Sequence, residues 1–196
     1  MSHRDDLLAG ARRCLVEKGY RRTTARDIAT ASGAHLASIG YHFGSKDGLM
    51  ATAVIAATDE WGTRLEQAAR AAAAGRDDPA ERLVALLTEL VAALPEAHDL
   101  HVAGVQALGE APFDAVLREA LAAGMRGGRE VLAELLLGPR AAGATPQAVL
   151  ALGAAAYALV TGFIVQALVE PDALPDAPAL AAAVRLLVPG ADHPAA

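Results

Sequence analysis

A chain of 196 residues is long enough for one large domain or two small ones. Aromatic residues make up only 4% of it, and no stretch alternates apolar and polar residues over a strand's length, which excludes a β architecture and predicts an all-α fold. Residues 1–50 hold eight Lys/Arg and five Asp/Glu, a net charge of +3, whereas the remainder carries −9, so a basic head is joined to an acidic body and only the head suits a polyanion.

The spacing predicts about nine helices. The first runs from Arg4 to Lys18, with Ser2 and Asp5 at capping-box spacing and Gly19 just past its end. Its opening is polar and charged, unlike a secretory signal. Cys14, the single cysteine, lies among Leu7, Ala11 and Leu15 on its apolar stripe and reads as a core thiol in a reducing compartment. Thr24 caps a second helix with Asp27 three residues on, and Gly33 ends it. A third helix spans His35 to Tyr41. Ser45 caps a long fourth, Lys46 to about Ala74, which carries Trp61. Asp78-Pro79-Ala80-Glu81 opens the fifth, with an N-cap followed by proline at the first helical position. Pro95 and Pro112 open two more, and Gly138-Pro139 ends the second of these. Thr145-Pro146 starts an uncharged helix that stops at Glu170-Pro171. The last covers about Ala179 to Val188.

The segment Ala148–Val165 within the uncharged helix is long enough to cross a bilayer. Alanine and glycine are weakly apolar, however, and no basic cluster marks a cytoplasmic side, so no membrane partner is expected. A helix apolar all round can equally be buried in protein.

The second and third helices are too short to be stable alone. A helix-turn-helix would explain them. It needs a small residue where its helices cross, a turn residue tolerant of positive φ, and an apolar anchor beneath its second helix; Ala29, Gly33 and Ile39 stand in that order. The surrounding motifs are "EKGY" at the end of the first helix, "TTARDIATASG", the cluster "YHF" and the turn "GSKDGL". Together they resemble the DNA-binding domain of the tetracycline-repressor (TetR) family of bacterial regulators over about residues 4–50. The resemblance implies a helix-turn-helix domain at 1–50 and a larger helical effector-binding and dimerisation domain at 51–196. It implies that Thr24 caps the second helix and sets its backbone N–H beside a phosphate. His35, Leu36, Ala37 and Ser38 would lie nearest the base edges, Tyr41 and His42 would touch backbone or bases, and Lys46 would meet phosphate. Three positions depart from the family's pattern. Gly40 replaces a common tyrosine, His35 stands at the usual Ser/Thr cap, and Gly48 replaces a frequent glutamate.

His98 and His101 are spaced i, i+3, which could serve a metal, but no second ligand cluster accompanies them and neither metal nor cofactor is expected. No nucleophile-base set, phosphate loop or paired carboxylates appear, so no enzymatic activity is expected. An effector pocket is expected instead, walled by Leu86, Leu90, Val102, Val105, Phe113, Leu117 and Met125. His101, Gln106, Arg126, Tyr157 and Thr161 would supply its polar points, with Gln106 and Tyr157 as hydrogen-bond partners, and Trp61 would link it to the head. Homodimerisation is assigned to Ala154, Ala158 and Gly162, a small-residue stripe, with Leu180, Val184 and Leu187 on the last helix.

The reading is a cytoplasmic, homodimeric repressor released from a palindromic operator in double-stranded DNA by a small, mostly apolar effector. Its alternatives are an activator, an architectural DNA binder without effector, and a helical small-molecule carrier. Salt-sensitive duplex binding separates the carrier from the others, and effector-induced release separates the repressor from the architectural protein.

Overall fold

A computed structural model describes residues 3–187, and the regular secondary structure among them is helical. Nine α-helices are present: α1 (His3–Lys18), α2 (Ala25–Ser32), α3 (Leu36–Phe43), α4 (Lys46–Ala72), α5 (Pro79–Ala93), α6 (His98–Glu110), α7 (Ala115–Leu137), α8 (Pro146–Val169) and α9 (Ala177–Leu187). Three short 3-10 turns lie before α6, after α7 and after α8. Ser2 and Val188, read above as a cap and a helix end, lie outside the described residues.

The chain divides into two compact units, residues 1–61 with 97–124, and residues 62–96 with 125–196. In the first, Leu7, Leu15, Ile28, Ile39, Leu49, Met50 and Val54 form one buried cluster with Ala103, Ala107 and Leu117. Short helices α2 and α3 are therefore stabilised by burial against their neighbours, which supplies what local propensity cannot. The tightest approach is between α1 and α2. A Cβ added at Gly10 would lie 2.8 Å from Ser32 Cβ and 3.1 Å from the Ile28 carbonyl oxygen, so a side chain there would force the helices apart. Arg12 Nη1 reaches Glu60 Oε2 on α4 at 3.0 Å.

The second unit is built on α5, α8 and α9, which pack together. Leu86 and Leu90 of α5 are fully buried. Leu180 and Val184, expected on a dimer interface, are only 3% and 5% exposed within the single chain, because α9 lays that side on α5. The face of α9 that remains outward carries Leu186 and Leu187. Helix α8 is not buried all round. Gly153, Ala156 and Val160 face inward, while Leu150, Ala154, Ala158, Val165 and Val169 are exposed.

Several helix starts differ from expectation. Pro95 opens only a 3-10 turn, Pro95–Ala97, and α6 itself begins at His98. Helix α3 begins at Leu36, with His35 at the cap position making no side-chain cap bond. Helix α7 begins only at Ala115, because Asp114 Oδ1 accepts the N–H groups of Val116 and Leu117 at 2.9 and 3.0 Å.

Candidate nucleic-acid interface

The helix-turn-helix rests on a turn that only a few residues could make. Gly33 adopts φ +70°, the left-handed conformation that costs other L-residues energy, and so redirects the chain from α2 into α3. Ile39 is buried beneath α3. With Ile39 inward, the opposite side of α3 is turned out: Leu36 and Ala37 are exposed, and Tyr41 is 86% exposed. Tyr41 meets His42 edge-on at 4.8 Å between ring centres, and His42 in turn lies edge-on to Phe43. Phe43, half-buried, packs against the core and carries the Arg4 guanidinium 5.3 Å above its ring.

The start of α2 is held by a reciprocal cap. Thr24 Oγ1 accepts the Asp27 N–H at 3.2 Å, and Asp27 Oδ2 accepts the Thr24 N–H at 2.8 Å. That N–H, which the resemblance sets beside a phosphate, is donated to the cap in the free chain. Lys18 Nζ lies 2.6 Å from the other carboxylate oxygen of Asp27. The hydrogen bond from Lys18, then those from Thr24, hold the Asp27 carboxyl far below the ordinary carboxylate range. At Ser45 half of a capping box forms, with Gly48 N–H donated to its hydroxyl at 2.9 Å. Glycine has no carboxylate to return the bond. Lys46, half-buried, pairs with Asp47 at 2.6 Å.

Two open clefts, of about 310 and 320 Å³, mark this unit, and both are charged. One is lined by Tyr20, Arg21, Lys46, Asp47, Glu110, Phe113 and Asp114. The other is lined by Arg13, Cys14, Glu17, Lys18, Asp27, Thr30 and Ala31. Burial pushes the Cys14 thiol above its usual range, as befits a core side chain.

The residues expected around an effector are divided between the two units. Trp61, His101, Val105, Gln106, Phe113 and Leu117 belong to the first unit; Leu86, Leu90, Met125, Arg126, Tyr157 and Thr161 belong to the second. Leu117 is a core residue of the first unit, and Phe113 is 86% exposed because Asp114 starts α7 after it. Gln106 Oε1 is taken by the Tyr20 backbone N–H at 2.9 Å. Thr161 donates its hydroxyl to the Tyr157 carbonyl oxygen one turn back. The Tyr157 ring packs against Gly128 of α7, where a Cβ would come within 2.8 Å, and lies 5.9 Å from the Arg129 guanidinium.

Two of these residues meet within the first unit. The Trp61 and His101 rings meet edge-on at 4.5 Å. His101 is 7% exposed, its Nε2 has no hydrogen-bond partner, and its pKa is lowered to about 4, chiefly by burial and secondarily by the charge of His98.

Comparison with known proteins agrees with this architecture. Residues 7–53 match the family described as bacterial regulatory proteins, tetR family, and residues 79–188 match the BetI-type transcriptional repressor C-terminal domain. A transcriptional regulator from Rhodococcus sp. Rha1 superposes with a TM-score of 0.72 at 23% identity, over 99% of this chain and 100% of that one. A TetR transcription regulator from Haloarcula marismortui gives 0.66 at 22% identity, over 94% and 93%. Among curated proteins, the HTH-type transcriptional repressor AcnR of Corynebacterium glutamicum is 44% identical over 46 residues, and that of Corynebacterium efficiens 41% over 49. Each match spans only about a quarter of this chain and of the relative, 24% of both for the first. With the second family match covering more than half of the chain, and the helix-turn-helix in place before it, the protein belongs to the TetR family of DNA-binding transcriptional regulators, a family of soluble, non-enzymatic proteins.

Proposed function

We propose that the chain is a cytoplasmic, homodimeric repressor that binds a palindromic operator and is released from it by a small, mostly apolar effector. The observation that carries the DNA-reading part is the outward side of α3, where Leu36, Ala37 and Tyr41 are exposed over a buried Ile39. In a helix-turn-helix this side enters the major groove while α2 braces the backbone. The repressor assignment draws on the two AcnR proteins, which are named repressors and match the head.

Homodimerisation is supported by the exposed apolar side of α8. Leu150, Ala154, Ala158, Val165 and Val169 recur at helical spacing, in a helix that carries no charged side chain. Small residues at Ala154 and Ala158 let two backbones approach closely, and a twofold axis would pair each helix with its own copy. On α9, Leu187 is exposed, whereas Leu180 and Val184 are buried within the chain. Two recognition helices about 34–36 Å apart would then read successive major grooves.

The effector reading rests on His101 and Trp61. A buried ring nitrogen without a partner costs about 1–3 kcal/mol, which a ligand donor or acceptor would recover. Helix α4 runs unbroken from Lys46 through Trp61 to Ala72, so a ligand preferring one setting of α4 acts on the head directly. A 100-fold change in DNA affinity requires about 2.7 kcal/mol of differential binding. The test is a compound screen read by thermal shift and by release from DNA. Compounds that stabilise the protein and release it support effector control, whereas stabilisation that never alters DNA affinity removes the sensing role and leaves DNA binding intact.

A further inference from the structure

We propose that Gln106 on α6 is a positioning residue for DNA binding, acting by holding the turn that leads from α1 into α2. The turn begins at Gly19, with φ +80°, and ends at the Thr24 cap. Its first backbone donor beyond the glycine, the Tyr20 N–H, points to no acceptor in its own loop but to Gln106 Oε1 at 2.9 Å, 86 residues along the chain. A backbone N–H at a buried residue must find a partner, and here α6 provides it. The same oxygen would lie 3.3 Å from a Cβ added at Gly19, so the amide covers the left-handed residue itself.

One helical turn further along α6, Glu110 Oε1 accepts from Arg21 Nε at 2.6 Å. That pair is largely exposed and contributes little alone, but it places a second grip on the same face of the same helix. Inside the turn the hold is passed on. Thr23, fully buried, donates its hydroxyl to the Gly19 carbonyl oxygen at 2.8 Å, with the Cys14 carbonyl oxygen 3.2 Å away on the same hydroxyl. Thr24 follows directly and caps α2. A hydrogen-bonded path therefore runs from the Gln106 amide through the Gly19–Thr23 turn to the start of α2, the end that would brace the DNA backbone. The inference rests on DNA binding by the head and gives Gln106 a role other than contact with an effector.

The experiment uses the intact protein and a duplex that the wild type selects from a random-sequence library. Gln106→Met keeps the bulk and removes the acceptor; Gln106→Glu restores an acceptor. Binding is measured well below the melting temperature, with folding verified by circular dichroism, and exchange of the Tyr20 amide is followed by NMR. The Met variant should bind the selected duplex about tenfold more weakly, the loss expected of one buried hydrogen bond. Its salt dependence should be unchanged, because no phosphate contact has been removed. Tyr20 amide exchange should accelerate, and the Glu variant should restore both properties. Faster Tyr20 exchange with undiminished DNA affinity would overturn the inference while leaving DNA binding standing. A wild-type protein that selected no duplex would overturn the inference together with the reading beneath it.

Discussion

At the scale of single residues, the chemistry of this head depends on partners that the sequence places far apart. Lys18 and Asp27 stand nine positions apart on different helices, yet they and Thr24 form one network at the start of α2. Thr24→Ala should lower stability by about 1 kcal/mol in denaturant titration, the usual loss for an N-cap. His101 sets a pH dependence of its own. Its pKa falls to about 4 in the folded chain from the ordinary 6.5, so the unfolded chain binds a proton that the folded one refuses. Stability from this group is complete above pH 6.5 and is lost as the pH falls toward 4. His101→Leu should flatten the melting temperature against pH in that window, and an unchanged slope would show that the imidazole is not held neutral. The helical spacing around Cys14 was enough to place it in the core, and the Thr24-Asp27 box could be read from its spacing. The Gln106–Tyr20 bond could not, since nothing local marks a glutamine as the acceptor for a backbone group 86 residues away.

At the scale of elements, boundaries followed the punctuation of the chain where an N-cap and a proline stood together. Asp78-Pro79 and Thr145-Pro146 open α5 and α8 where expected. The start of α7 lies beyond Pro112 because Asp114 caps it, accepting the N–H groups of Val116 and Leu117. The faces of α9 were harder to assign. Leu180, Val184 and Leu187 share a stripe in sequence, but whether α5 or a second copy covers it depends on long-range packing. Two glycines make opposite predictions about helix packing. At Gly40 nothing lies within 4 Å of a Cβ, so Gly40→Ala should stabilise α3 by about 0.5–1 kcal/mol through backbone entropy. At Gly10 a Cβ meets Ser32, so Gly10→Ala should destabilise by about 1–3 kcal/mol. Denaturant midpoints of the two variants should move in opposite directions; movement in the same direction would contradict the close approach of α1 and α2.

At the scale of the whole molecule, the uneven charge, the helix-turn-helix and the uncharged α8 underlie the two surfaces proposed above. The apolar side of α8 is assigned to a second copy, so Ala158→Arg should give monomers or insoluble protein by light scattering. A soluble dimer of that variant with full DNA affinity would remove α8 from the interface. The basic head is assigned to phosphate and bases, and these two kinds of contact leave different signatures. Lys46→Ala should weaken binding to all duplexes and reduce the salt slope by about one unit, whereas replacing Leu36 or Ser38 should change preference among sequences. The most direct test of the central claim is selection of duplexes from a random library by the wild-type protein, followed by titration of the selected duplex across salt concentrations. The account predicts an enriched palindrome with half-sites about one helical turn apart, bound with an affinity that falls linearly on logarithmic axes as salt rises. Enrichment of no sequence, or an affinity indifferent to salt, would contradict it.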